Sequence, residues 1–135
     1  MPQAHPYQPE HERGDLSIRT VAMPADTNAN GDIFGGWVMS RMDQAGGVAG
    51  VRRARGRVVT LKVQAMQFHR PVRVGDMLSV YTKVIRVGRT SMDIEVGAWV
   101  HRFLTGIEEK VTDGVFTFVA ITDDGVPTPI PPLVE

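Results

Sequence analysis

The chain has no cysteine. That excludes a disulfide framework, a thiol nucleophile and cysteine-rich zinc sites. It has no excess of either charge: 15 basic and 15 acidic residues leave a formal net charge of zero. A dominant electrostatic attraction to nucleic acid or to an anionic membrane therefore has nothing to rest on. No apolar run approaches the roughly 20 residues that a membrane helix needs. The start, MPQAHPYQPEHERGD, is polar and proline-rich and holds no apolar signal-peptide core. These features predict a cytoplasmic protein with neither a nucleic-acid nor a membrane partner. G-x-S-x-G, G-x-G-x-x-G and the P-loop are all missing. No His and carboxylate spacing suggests a metal, so no metal ligands are assigned.

What is there fits one compact domain. At 135 residues, 42% hydrophobic, the chain can bury a real core. Residues 1–14 are expected to form a flexible arm, 15–124 the folded domain, and 125–135 a proline-rich tail. A strand is predicted at 16–23, ended by Pro24. PADTNANGD is a loop of turn formers. A helix is predicted from about Gly35 to Arg53, with Val38, Met39, Met42, Ala45 and Ala49 at helical spacing. Its end is read at the arginines and Gly56. Strands are predicted at 57–70, 77–87, 90–103 and 110–122. In the third of these, Met92, Ile94, Val96, Ala98 and Val100 alternate with Asp93, Glu95, Trp99 and His101. One helix and about five strands give an α+β architecture with a largely antiparallel sheet. The helix can cover only one face. The other face is read as also rich in Val, Ile and Phe and as meeting another subunit.

Six of the 14 glycines fall between Gly31 and Gly50, around that helix. Glycine inside a helix costs about 0.5–1 kcal/mol against alanine. At GDIFGG, residues 31–36, glycine lets the backbone approach a ligand. The first helical N–H groups have no intrahelical partner and can hold an anion or a developing oxyanion. A simple tight turn explains the same residues. Asp43 lies eight residues beyond Gly35. It is either a solvated surface carboxylate or a general base or nucleophile, and Met39, Gly46 and Gly47 on its own face favour the latter. His5 and His11 sit in the arm, and His69 and His101 read as structural. Arg52, Arg53, Arg55 and Arg57 suit a helix C-terminus. The turn VGRTS, residues 87–91, is either an ordinary hairpin or a phosphate contact through Arg and hydroxyl donors.

Taken together, LSIRTVAMPADTNANGDIFGGWVMSRMDQAGG, GRVVTLKVQAMQFHRPVRVGD and VGRTSMDIEVGAWV resemble the bacterial acyl-CoA thioesterases of the hotdog-fold superfamily, most of all the YciA-type branch. The resemblance covers about 16–123. It implies a curved antiparallel sheet of about five strands wrapped around one central helix. It implies a homodimer with active sites at the interface, assembled as a trimer of dimers (a hexamer), and acyl-CoA as substrate. No cofactor is implied, since coenzyme A is part of the substrate. Asp43 matches the family's catalytic acid. Gly35 and Gly36 would hold the thioester carbonyl by backbone N–H, with Asp32 beside them as a further catalytic candidate. Asn28, Asn30 and Phe34 would line the substrate site, and Gly88, Arg89, Thr90 and Ser91 would contact CoA. The expected reaction is hydrolysis of acyl-CoA to CoA and a carboxylic acid. An acyl dehydratase is disfavoured because the helix carries no histidine. A non-catalytic acyl-CoA-binding module is the remaining alternative.

Overall fold

A computed structural model describes residues 7–133; His5 lies outside the described residues. A short 3-10 turn at Glu10–Glu12 leads into β1 (Asp15–Val21). A second turn at Pro24–Asp26 precedes the helix α1 (Gly35–Ala54). Four strands follow: β2 (Val58–Phe68), β3 (Met77–Val87), β4 (Ser91–His101) and β5 (Glu108–Ala120). The predicted elements are all present, and most ends move by one or two residues. β2 stops at Phe68, two residues before Arg70 and just ahead of Pro71, which has no N–H to give to a ladder. β5 starts at Glu108, where Glu108 pairs with His101. The helix ends at Ala54, and Arg55, not Gly56, takes the left-handed cap at φ 50°.

The strands form one antiparallel sheet in the order β1-β3-β4-β5-β2. Consecutive strands β2 and β3 are therefore not neighbours. β2 pairs with β5 at one edge, and the 69–76 connection crosses to reach β3. That crossover positions the site described below.

α1 packs its inner face on the sheet. Val38, Met42 and Ala45 are buried with Leu78, Val80, Ile94, Val96, Phe116 and Phe118. A methyl group at Gly46 would lie 2.8 Å from the Phe118 ring. This glycine lets the helix sit directly on an aromatic ring, which justifies its helical cost.

The back of the sheet is more polar than the sequence suggested. It carries Ser79, Tyr81, Asp93, Glu95, Trp99 and Thr117. Residues 8–13 lie against it. The buried Arg13 guanidinium stacks 3.6 Å from the Trp99 ring and pairs with Glu108 at 2.5 Å. Tyr81 donates to Glu10 at 2.8 Å. The edge strand β2 exposes four large apolar side chains, Val59, Leu61, Val63 and Phe68.

Candidate active site

The loop before α1 is closed by its own residues. Asn28 Oδ1 accepts from the N–H of Asn30 at 2.9 Å and of Asp32 at 3.2 Å. The Asn28 N–H donates to Asp32 O at 2.6 Å, and Gly31 takes the left-handed φ of 83° that the turn needs. Ile33 then donates to Val72 O at 2.9 Å, which staples this loop to the β2–β3 crossover. Between the two segments lies a crevice of about 360 Å³, lined by Asn28, Asp32, Gly35, Phe68, His69 and Arg70 among others. Asn30 is exposed at the tip of the loop.

Phe34 caps the helix with no side-chain hydrogen bond, and no acidic residue occupies the first turn. Trp37 and Val38 donate back to Phe34 O at 3.0 and 3.4 Å. Among the described residues nothing accepts from the N–H of Gly35 or Gly36. The helix thus starts with two open donors at its positive end. The space around Gly36 is empty, since a methyl group there would meet nothing within 4 Å. At Gly35 the Phe68 ring would be 3.4 Å away.

Asp43 is exposed on the helix flank that faces β2, where the Thr60 hydroxyl donates to its Oδ1 at 2.6 Å. It does not line the crevice. Eight residues along the helix separate it from Gly35, an axial rise of about 12 Å. Within one chain the carboxylate is turned toward Thr60 on β2 while the open N–H groups lie about two turns away at the helix start.

Gly88, Arg89, Thr90 and Ser91 form the β3–β4 turn, and this turn also lies away from the crevice. The register runs from Phe68 with Thr112 at one end of β2 to Val59, Val119 and Ser91 at the other. The crevice borders the first end and the turn the second. Arg86 braces the turn by donating to Ser91 Oγ at 3.2 Å and to Asp93 at 2.7 Å. The Arg86 hydrogen bond, helped by one from Thr117, holds the Asp93 carboxyl below the usual aspartate range.

Four residues were not found from the sequence. His69 and Arg70 reach the crevice only because the crossover brings them there. Thr60 gave no signal beyond strand alternation. Arg86 lies just before VGRTS and reads alone as a surface charge. His101 ends β4 and His11 is exposed, away from the crevice. Among the described residues no group of three or more His, Asp or Glu is placed to hold a metal ion, and no helix is long and apolar enough to cross a membrane.

A curved antiparallel sheet cradling one glycine-entered helix defines the class. Residues 30–101 match the family model described as Thioesterase superfamily, and the chain belongs to that family. Over 122 residues it is 48% identical to the acyl-CoA thioester hydrolase YciA of Salmonella typhimurium, covering 88% of this chain and 92% of that one. Among solved structures it is similar to HI0827, a hexameric broad-specificity acyl-coenzyme A thioesterase. That match has a TM-score of 0.84 and 48% identity, over 88% of this chain and 82% of the other. The hexameric thioesterase y2039 of Yersinia pestis matches with a TM-score of 0.87 and 46% identity, over 93% of this chain and 100% of the other.

Proposed function

We propose that this chain hydrolyses acyl-CoA to CoA and a free carboxylic acid. One observation carries the reading beyond family membership. A helix N-terminus with two open N–H donors and no acid in its first turn faces empty space, and an accessible carboxylate stands on the same helix. Acyl transfer needs both parts: donors for the oxyanion and a group to activate water or attack the carbonyl.

Asp43 acts in one of two balanced ways. As general base it takes a proton from water while the water oxygen bonds to the thioester carbon. As nucleophile its own oxygen forms that bond, and water later cleaves the mixed anhydride. In both, the carbonyl electrons move onto oxygen, held by Gly35 and Gly36 N–H. The C–S bond then breaks and CoA leaves as the thiolate, a good leaving group that needs no strong acid. One oxyanion donor is worth about 2.7–4 kcal/mol. Asp32 borders the same crevice and Asn28 shapes it.

The separation of about 12 Å between Asp43 and Gly35 supports a site shared by two subunits. The apolar edge strand β2 is the natural seam for a homodimer, and the hexameric relatives favour a trimer of dimers. Across such a seam one subunit's Asp43 can meet its partner's helix N-terminus, and the 88–91 turn can hold CoA phosphates.

The test is thiol release from acyl-CoAs of increasing length, wild type beside Asp43→Asn. Turnover by wild type and a large loss in a folded variant support the proposal. CoA binding with no turnover on any chain length would point to the binding module instead.

A further inference from the structure

Near its C-terminus the chain carries a proline-rich run, Pro127-Thr128-Pro129-Ile130-Pro131-Pro132. Four prolines remove four N–H groups and fix four φ angles. Between 127 and 132 only Thr128 and Ile130 keep a donor, and both are used. Thr128 donates to Ala120 O at 2.9 Å, and Ile130 donates to Arg89 O at 2.8 Å. The segment reaches this place through a turn in which Thr122 donates to Val126 O at 2.8 Å, followed by a bridge between Ile121 and Pro127. The Ile130 side chain packs on the core, and Arg53 Nη1 donates to Pro131 O at 2.6 Å. A single stretch is thus tied to β5, to the β3–β4 turn and to the end of α1.

The turn it touches is the one read above as the CoA contact. Its carbonyls point inward: Arg89 O accepts from Ile130, and Thr90 O from the Ala120 N–H at 2.8 Å. Among the described residues nothing accepts from the N–H of Arg89 or Thr90, and the Arg89 side chain is exposed. In a trans peptide the N–H points opposite to the preceding carbonyl, so holding the Arg89 carbonyl inward turns the Thr90 N–H outward beside the exposed Arg89 side chain, donors of the kind that phosphate oxygens take. A flexible tail would pay the ordering cost at each binding event. Prolines have largely met it beforehand, by narrowing the unfolded ensemble.

We propose that the C-terminal tail is a preformed strut that positions the 88–91 turn for a phosphate of the CoA nucleotide, with Ile130 as the positioning residue. This rests on the acyl-CoA reading above. The strut acts on the nucleotide half of the substrate and not on the thioester.

The experiment compares acyl-CoA with the matching acyl-pantetheine, which carries the same thioester but no nucleotide phosphates. The proteins are wild type, Ile130→Pro, which deletes the donor together with the side chain that anchors the tail, Ile130→Val, which keeps the donor and most of the anchor, and a truncation after Thr128. Calorimetric titration with CoA alone accompanies the kinetics. Ile130→Pro and the truncation are expected to raise KM for acyl-CoA and weaken CoA binding about 3- to 10-fold, the worth of a hydrogen bond. Their kcat, and their kcat/KM for acyl-pantetheine, should stay at the wild-type level, and Ile130→Val should match wild type. Equal losses on both substrates, or an unchanged KM and CoA affinity, overturn the strut while leaving the hydrolase standing. If wild type binds CoA without turnover, hydrolysis fails and the CoA titration alone decides the strut. If wild type neither turns over acyl-CoA nor binds CoA, both readings fall.

Discussion

The Thr60 hydroxyl on β2 and the Asp43 carboxylate on α1 are joined by a 2.6 Å hydrogen bond. It links the edge strand to the only carboxylate on the helix, and it holds that side chain toward β2. Asp43→Asn keeps the shape and removes the negative charge. Its kcat is expected to fall by about 10²–10⁴, the usual worth of a positioned acid–base group. Thr60→Val should cost far less, mainly in kcat, by freeing the carboxylate to rotate. Steady-state thiol release on both variants checks this, and near-wild-type turnover by Asp43→Asn would refute the assignment.

Two glycines of one helix should fail in opposite ways. Gly35→Pro deletes a donor at the first helical position, where proline is well tolerated. Phe34 already has φ −56° and ψ 133°, the extended shape a residue before proline prefers. The melting temperature should hold while kcat falls about 10²–10³ through loss of an oxyanion donor. Gly46→Ala pushes a methyl group to 2.8 Å from the Phe118 ring. That variant should lose about 1–3 kcal/mol of stability by overpacking. Thermal unfolding and kinetics, measured together, separate the two roles.

Local pattern carried most of the elements, and distance in sequence hid the site. Alternation from Met92 to Val100 is visible because neighbours in β4 share one environment. The pairing of Val58 with Ala120 joins residues far apart in the chain, so no local signal forecasts β2 at the edge. With no place for β2 in the sheet order, His69 and Arg70 could not be put in the crevice, nor Thr60 on Asp43. The back of the sheet was misjudged for a similar reason, since only the fold shows Arg13 lying on Trp99. The open start of α1 was legible because an uncapped Gly-Gly pair is a local event. Its relation to Asp43 was not, because that depends on which helix flank the carboxylate takes and on the strand beside it.

Asp93 supplies a pH test. Its hydrogen bonds from Arg86 and Thr117 favour the charged form, so the folded carboxyl titrates below the unfolded one. The stabilisation is fully present above the unfolded value of about 3.9 and fades as pH falls through the lower folded value. Asp93→Asn should therefore melt earlier than wild type at pH 7, by a few tenths to about 1 kcal/mol for so exposed a pair. The gap should narrow steadily below pH of about 4. A gap that is constant from neutral pH to pH of about 3 would contradict the coupling.

The β2 edge supplies a test of assembly. Leu61 is 62% exposed on a strand that, among the described residues, has no neighbouring strand on its outer side. A carboxylate there costs nothing in a lone chain and is expensive in a buried seam. Leu61→Asp should give a folded, smaller species by light scattering, with normal far-UV dichroism and little turnover. An unchanged mass would move the seam elsewhere.

The shared site can be tested without any structure of the assembly. Asp43→Asn keeps the helix N-terminus and lacks the carboxylate, whereas Gly35→Pro keeps the carboxylate and lacks a donor. If both parts came from one chain, mixing the two proteins could restore nothing. If each site draws Asp43 from one subunit and the donors from the other, a hybrid dimer holds one site with both defects and one with none. Random reassembly in equal amounts makes half of the dimers hybrid. Turnover should then recover to about one quarter of wild type, as expected for a two-fold symmetric pair. Recovery should track the hybrid fraction as the ratio is varied. The prediction follows from the axial rise of about 12 Å between Gly35 and Asp43, with the carboxylate held toward β2 by Thr60.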